Sequence, residues 1–259
     1  MRIEIANSLY AALDLGKHEL ISLVGAGGKT SLMYKLGQEL SRDGKVLLTT
    51  TTRIMYPDRG RVGEIILGAE IDQTIEAIGR SLNDGVVLAG RQRSGVKIDG
   101  FSPEFVDRIF TSQPDCTVVA ESDGARGKSF KVPGDHEPPV ASLTSVYVVV
   151  FGADSFGKPL YSDYVFRPHD VAARLAIDAG AKVSQEVVLD ALLSENGYIK
   201  AKPSSARMCV FINKFETDGT GGDSSVLSFA HAIKSEGQIE RVLLGSIGMM
   251  SERPVVVVR

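Results

Sequence analysis

The stretch Glu19–Leu36, ELISLVGAGGKTSLMYKL, decides how the rest of the chain is read. Leu20, Ile21, Leu23 and Val24 form an almost wholly apolar run, the pattern of a strand buried on both faces of a parallel sheet. Gly25, Ala26, Gly27, Gly28, Lys29, Thr30 and Ser31 follow, and Leu32, Met33, Leu36 and Leu40 then recur at helical spacing. Strand, glycine turn, Lys-Thr and helix together are the arrangement of a phosphate-binding loop. Glycines let backbone N–H groups converge on an anion, and the unbonded N–H groups of the helix start face the same point. Lys29 would bring a positive charge to the β- and γ-phosphates, and the Thr30 hydroxyl a ligand to Mg²⁺.

The spacing departs from G-x-x-x-x-G-K-[ST]. Leu23 stands where that motif has its first glycine, whereas here the first glycine is Gly25, four residues before Lys29. The shortened form G-x-x-G-K-T resembles the loop of the Mur-type peptide ligases. The dinucleotide fingerprint G-x-G-x-x-G only half matches, because its third glycine would fall on Thr30. A nicotinamide-dependent oxidoreductase is therefore a weak reading. The bland alternative is a glycine-rich turn before an ordinary helix. Buried strand, Gly-Gly-Lys-Thr-Ser and helix in succession favour a nucleoside triphosphate, ATP being expected, with Mg²⁺.

The rest of the sequence bounds the setting. At 259 residues the chain fits one P-loop-containing α/β domain over 1–259, with 90–100 and 121–139 as excursions, since no repeat or low-complexity linker interrupts it. A formal charge of -3 argues against a nucleic-acid surface. No run approaches the roughly 18 apolar residues of a membrane span. The opening MRIEIANSLYAAL lacks the basic flank and apolar run of a signal peptide, so a cytoplasmic protein without membrane contact is expected. Cys116 and Cys209 fall in apolar strand-like runs and read as small core residues.

Along the chain, residues 1–17 read as a short helix around Leu9, Tyr10, Ala12 and Leu13. Strands are predicted at 45–48, 64–67, 86–89, 117–120, 146–151, 208–212 and 242–244, with an edge strand over 254–258. The polar stretch 90–100 reads as a hairpin or exposed loop with Gly95 at its turn, and Ser102-Pro103 as the cap of a helix through Phe110. Further helices fit 70–83, 169–179, 184–194 and the segment of Val226, Leu227, Ala230 and Ile233. Such alternation predicts a doubly wound, mostly parallel sheet of P-loop NTPase type.

In such sheets ligands sit beyond the carboxyl ends of the strands. Four loops there carry candidate chemistry. Thr49 to Thr52 and Arg53, Thr51 and Arg53 in particular, could orient a phosphate or hold Mg²⁺ through water, although β-branched threonines also suit a strand end. Glu121 and Asp123, directly after an apolar strand, are placed for a Walker-B-like metal ligand or water-orienting base, with Thr30 completing the set. Arg126, Lys128 and Lys131 could neutralise an anion. His136, in a proline-stiffened loop, could act as acid, base or ligand, or be an ordinary surface histidine. Asn213-Lys214 is similar to the N-K-x-D motif that selects guanine, with Glu216 in place of the aspartate; a polar strand-to-loop turn fits as well.

Several of these segments together resemble one family, the YqeC-like selenium-dependent hydroxylase accessory proteins. They are VGAGGKTS (24–31), LTTTTRI (48–54), AESDGARGKSFKVPGDHEP (120–138), FGADSFGKPL (151–160), RPHDVA (167–172) and FINK (211–214). The resemblance implies a bacterial accessory protein that helps prepare or insert a selenium-containing molybdenum cofactor. The molybdenum cofactor, a selenium donor and a molybdenum hydroxylase are its implied partners. It also implies site roles for Glu121, Asp123, Arg126, Lys131, His136, Asp154, Arg167 and His169. In the enzyme reading, Lys29 and the loop bind the phosphates, Thr30 with Glu121 or Asp123 holds Mg²⁺, and Glu121 or His136 positions the attacking group. The alternative is a nucleotide-gated carrier with little turnover.

Overall fold

The computed structural model describes residues 2–82, 85–215, 224–249 and 255–259. Its first half runs β1 (Ile3–Ala6), α1 (Leu9–Leu13), β2 (Leu20–Gly25), α2 (Lys29–Leu40), β3 (Lys45–Thr50), β4 (Arg53–Met55), β5 (Glu64–Leu67) and α3 (Ile71–Ser81). There follow β6 (Val86–Gly90), β7 (Gln92–Ser94), β8 (Lys97–Asp99), α4 (Pro103–Ser112), β9 (Cys116–Glu121) and β10 (Val146–Gly152). The chain continues through α5 (Pro168–Arg174), α6 (Gln185–Leu193), β11 (Arg207–Asn213), α7 (Ser224–Ser235), β12 (Arg241–Leu244) and β13 (Val255–Val258). The predicted positions Asn83, Glu216 and Pro254 lie outside the described residues.

Ten strands form one sheet in the order β1-β13-β12-β11-β10-β2-β9-β3-β6-β5. Every pair from β12 to β5 is parallel, and β13 is antiparallel to both its neighbours. The central strands β2, β9 and β10 are buried along their whole length, as their unbroken apolar runs require of parallel strands covered on both faces. Successive side chains of β10 divide between two cores. Val146, Val148 and Val150 pack with α1 and α2, and Tyr147, Val149 and Phe151 with α6 and α7. Leu47, Val87 and Val118 pack with α3 and α4. Each buried Val or Leu side chain contributes about 1.5–3 kcal/mol relative to exposure.

Strands β4, β8 and β7 make a second, antiparallel sheet. Gly95 lies at its β7–β8 turn with φ +63°. Ser102 caps α4, its hydroxyl accepting the N–H of Phe105 at 3.3 Å, with Pro103 in the first turn.

Three expectations are corrected. Residues 1–17 hold a strand, Ile3–Ala6, before the helix, because the backbone of β1 completes its bonding on β13. The last strand is interior, between β1 and β12, so β1 rather than the C-terminal segment forms that edge. The helix expected over 169–179 is also shorter, ending at Arg174 ahead of a left-handed Ala176.

Because β2, β3, β9, β10 and β11 are mutually parallel, the loops after them emerge at one edge. From β2 the chain crosses over β9 to reach β3, and from β9 it crosses over β2 to reach β10. Connections that leave neighbouring strands in opposite directions open a crevice at the strand ends.

Candidate functional site

The loop between β2 and α2 is pressed against the end of β10. At Gly25 (φ +93°) an added Cβ would collide with the Val150 carbonyl, and at Gly27 (φ +80°) with the backbone of Gly152. Only glycine meets both the left-handed backbone and the close approach. The first three amides of the loop are taken inside the protein. Gly25 N–H donates to Asp123 Oδ2 at 3.1 Å, Ala26 N–H to the Val150 carbonyl at 2.8 Å and Gly27 N–H to the Lys128 carbonyl at 2.8 Å. The first bond of α2 runs from Leu32 N–H to Gly28 C=O at 3.0 Å. The N–H groups of Gly28, Lys29, Thr30 and Ser31 therefore have no intrahelical partner, and these four residues line a cleft of about 820 Å³. The amides that face the cleft are thus those of the helix start, with the earlier glycines shaping its support.

Lys29 and Glu121 meet at the floor of this cleft. The Lys29 ammonium donates to the Gly25 carbonyl at 2.7 Å and lies 4.0 Å from Glu121 Oε1. Glu121 Oε2 accepts the Thr30 hydroxyl at 2.6 Å. Burial pushes the Lys29 pKa down against the pull of Glu121 and Asp123. Burial likewise pushes the Glu121 pKa up, against Lys29 and the Thr30 hydrogen bond. Both shifts come first from burial and favour the neutral forms.

Asp123 does not face the cleft. It is fully buried, its Oδ1 bound to Lys131 Nζ at 2.5 Å and its Oδ2 accepting from Gly25 N–H and from the Tyr198 hydroxyl at 3.1 Å. Lys131, equally buried, also reaches the Gly124 carbonyl at 3.1 Å and Glu137 Oε2 at 2.9 Å. Glu137 in turn pairs with Arg167 at 3.2 Å. A chain of charges thus runs from the rim of the cleft to the first amide of the β2–α2 loop. Burial would raise the Glu137 pKa, but Lys131, the Gly134 N–H and Arg167 together hold it below its ordinary value.

The predicted residues separate into three groups. Gly27, Gly28, Lys29, Thr30, Ser31, Arg53, Glu121, Arg126 and Arg167 line the cleft. Gly25, Ala26, Asp123, Lys131 and Asn213 brace it from behind. Asn213 donates to the Gly27 carbonyl at 2.6 Å and accepts Ile247 N–H at 3.1 Å, so its amide acts on the loop. The others lie elsewhere. Thr51 donates to the Pro139 carbonyl at 2.7 Å. His136 is exposed and does not line the cleft. His169 bonds Tyr161 at 2.7 Å, and Lys214 pairs with Asp154 at 2.7 Å.

Sequence reasoning missed Glu137, Phe166, Arg91, Lys97 and Asp99, which also line the cleft. The polar stretch 90–100 was legible as a hairpin or exposed loop, but not that its sheet lines the same cleft as the β2–α2 loop. Arg126 (φ 47°) and Arg167 (φ 50°) both adopt left-handed backbone, uncommon for arginine, and both guanidinium groups stand over the Phe166 ring, at 5.8 and 4.8 Å. Such conformations persist where the surroundings impose them, and they cluster at ligand sites.

The segment that builds this site matches known proteins. The family model described as YqeC protein matches residues 21–169, from β2 to the start of α5. A protein of Escherichia coli (strain K12), described as uncharacterized protein YqeC, is 32% identical over 218 residues, covering 78% of this chain and 80% of that relative. With the loop, the Glu121–Glu137 segment and Arg167 all inside the matched span, the chain belongs to the YqeC family.

Proposed function

We propose that this chain is a P-loop NTPase-like protein that binds a magnesium nucleoside triphosphate, ATP by preference, at the mouth of β2. Its role in this reading is maturation of a selenium-dependent molybdenum hydroxylase or its cofactor. One observation carries the nucleotide reading. The open amides of the α2 start, the Lys29 ammonium and the Thr30–Glu121 pair meet at one end of the cleft. A helix start with free N–H groups and a positive dipole end favours phosphate. Hydroxyl and carboxylate oxygens are the donors Mg²⁺ accepts, phosphate oxygens and water completing its shell. When bound, the ion would neutralise charge on the phosphates. Lys29 would exchange the Gly25 carbonyl for phosphate oxygens, and Glu121 would orient the attacking group. The selenium and molybdenum context rests on the family resemblance alone.

A second reading, a nucleotide-gated carrier with little turnover, is favoured by the engagement of Glu121. One of its oxygens holds Thr30 and the other faces Lys29, and neither His136 nor His169 lines the cleft as a substitute base. Steady-state phosphate release from Mg–ATP by the full chain and by Glu121→Gln separates the two. An enzyme loses at least about 100-fold in turnover on that substitution, the scale of a general base, while nucleotide affinity changes far less. Turnover that is absent in the parent chain, with affinity intact, supports the carrier.

A further inference from the structure

The cleft carries more positive charge than one nucleotide needs. Among the described residues, seven basic side chains line it against three acidic ones, a surplus of four, in a chain whose formal charge is -3. A magnesium-bound triphosphate brings only roughly two net negative charges, and Lys29 with the α2 amides already stands at its end of the cleft.

Three of these cations, Arg53, Arg91 and Lys97, come from the β4–β8–β7 sheet or the residue just before it, and not from the β2–α2 loop. The register pairs Arg53 with Asp99, Ile54 with Ile98 and Met55 with Lys97. Side chains alternate across a sheet, so Ile54 and Ile98 enter the core while Arg53, Lys97 and Asp99 face the cleft. Arg91, just before β7, joins them. Asp99 is held by the Ser94 hydroxyl at 2.6 Å and the Gln92 amide at 2.9 Å, and it lies 2.8 Å from Arg53 and 3.9 Å from Arg91. One carboxylate therefore serves two guanidinium groups. Among the described residues, Lys97 has no carboxylate partner, and neither does Arg126, which shares the cleft lining with Phe166.

We propose that the three-stranded sheet forms a second anion subsite in this cleft. It takes a phosphate-bearing small molecule beside the nucleotide, with Arg91 and Lys97 as its selecting residues. Several converging cations suit a dianionic phosphate better than a single carboxylate, and guanidinium groups match its oxygens in pairs. The inference rests on the nucleotide reading only in calling this the second of two ligands.

Calorimetric titration of inorganic phosphate into the full chain tests it, with and without saturation by magnesium and the imido analogue of ATP. Phosphate is expected to bind in both conditions, and acetate at least tenfold more weakly. Arg91→Ala/Lys97→Ala, two exposed positions, is expected to weaken phosphate at least tenfold while affinity for the ATP analogue stays within threefold. Lys29→Ala is expected to do the reverse. Loss of phosphate binding on adding the analogue would mean one shared site and overturn the proposal. So would phosphate affinity unchanged in the double variant, or acetate binding as tightly as phosphate. If the analogue fails to bind at all, the nucleotide reading falls by itself, and the phosphate arm with the double variant still decides this one.

Discussion

Glu121 and Asp123 stand two positions apart, yet one faces the cleft and the other the interior. An extended segment would turn both to the same side, but β9 ends at Glu121 and Asp123 lies beyond it. Asp123 is drawn inward by Lys131, Tyr198 and the Gly25 amide, which accounts for its engagement with the loop and its distance from solvent. Removing one partner of such a pair strands a buried charge. Lys131→Met is therefore expected to cost about 3–5 kcal/mol in urea unfolding, and a loss below about 1 kcal/mol contradicts the network. Glu137 gives this network a pH signature. Its folded pKa lies below the ordinary 4.5, so its contribution is present above that value and is lost as pH falls through the folded pKa. The unfolding midpoint is expected to drop between about pH 5 and pH 3, and Glu137→Gln to flatten that drop. Parallel pH profiles for the two proteins would remove Glu137 as its source. Of these residues, Glu121 was legible because it follows an apolar run. Glu137 was not, since its pairing with Lys131 across a turn and with Arg167 from a separate segment appears only in the fold.

At the scale of the element, the β2–α2 turn is the most legible part of the chain. Its strand, Leu20–Gly25, and its helix, Lys29–Leu40, fall where the local pattern puts them. What local rules could not supply is the direction of each amide. That depends on β10 lying beside β2, which takes up the N–H of Ala26 and leaves only the helix start facing outward. The glycines are accordingly sensitive to any side chain. Gly25→Ala combines a left-handed φ with a collision on the Val150 carbonyl, and a loss of about 1–3 kcal/mol is expected, together with loss of nucleotide binding. A variant with parental stability and affinity would show that the loop is not held as described. The hairpin of β7 and β8 was equally legible from Gly95 and its polar flanks. Its role as a wall of the cleft was not, because that depends on Ile54 and Ile98 docking in the core beneath it.

At the scale of the molecule, composition and alternation sufficed for an α/β fold with a mostly parallel sheet, and strand order did not follow from them. β1 is four residues long with its isoleucines half exposed or more, so no pattern marks it until β13 arrives from the other end of the chain. β13 has four valines, which say strand but not whether edge or interior. Among the described residues no helix is long and apolar enough to cross a membrane. The global arrangement matters to function through the crevice that the opposed crossovers from β2 and β9 create above Lys29. Calorimetric titration of Mg–ATP, Mg–GTP and Mg–CTP into the full chain and into Lys29→Ala tests that claim most directly. The expected result is saturable, magnesium-dependent binding of at least one triphosphate, weakened at least tenfold in the variant. No binding of any of the three, or equal affinity in both proteins, would contradict it.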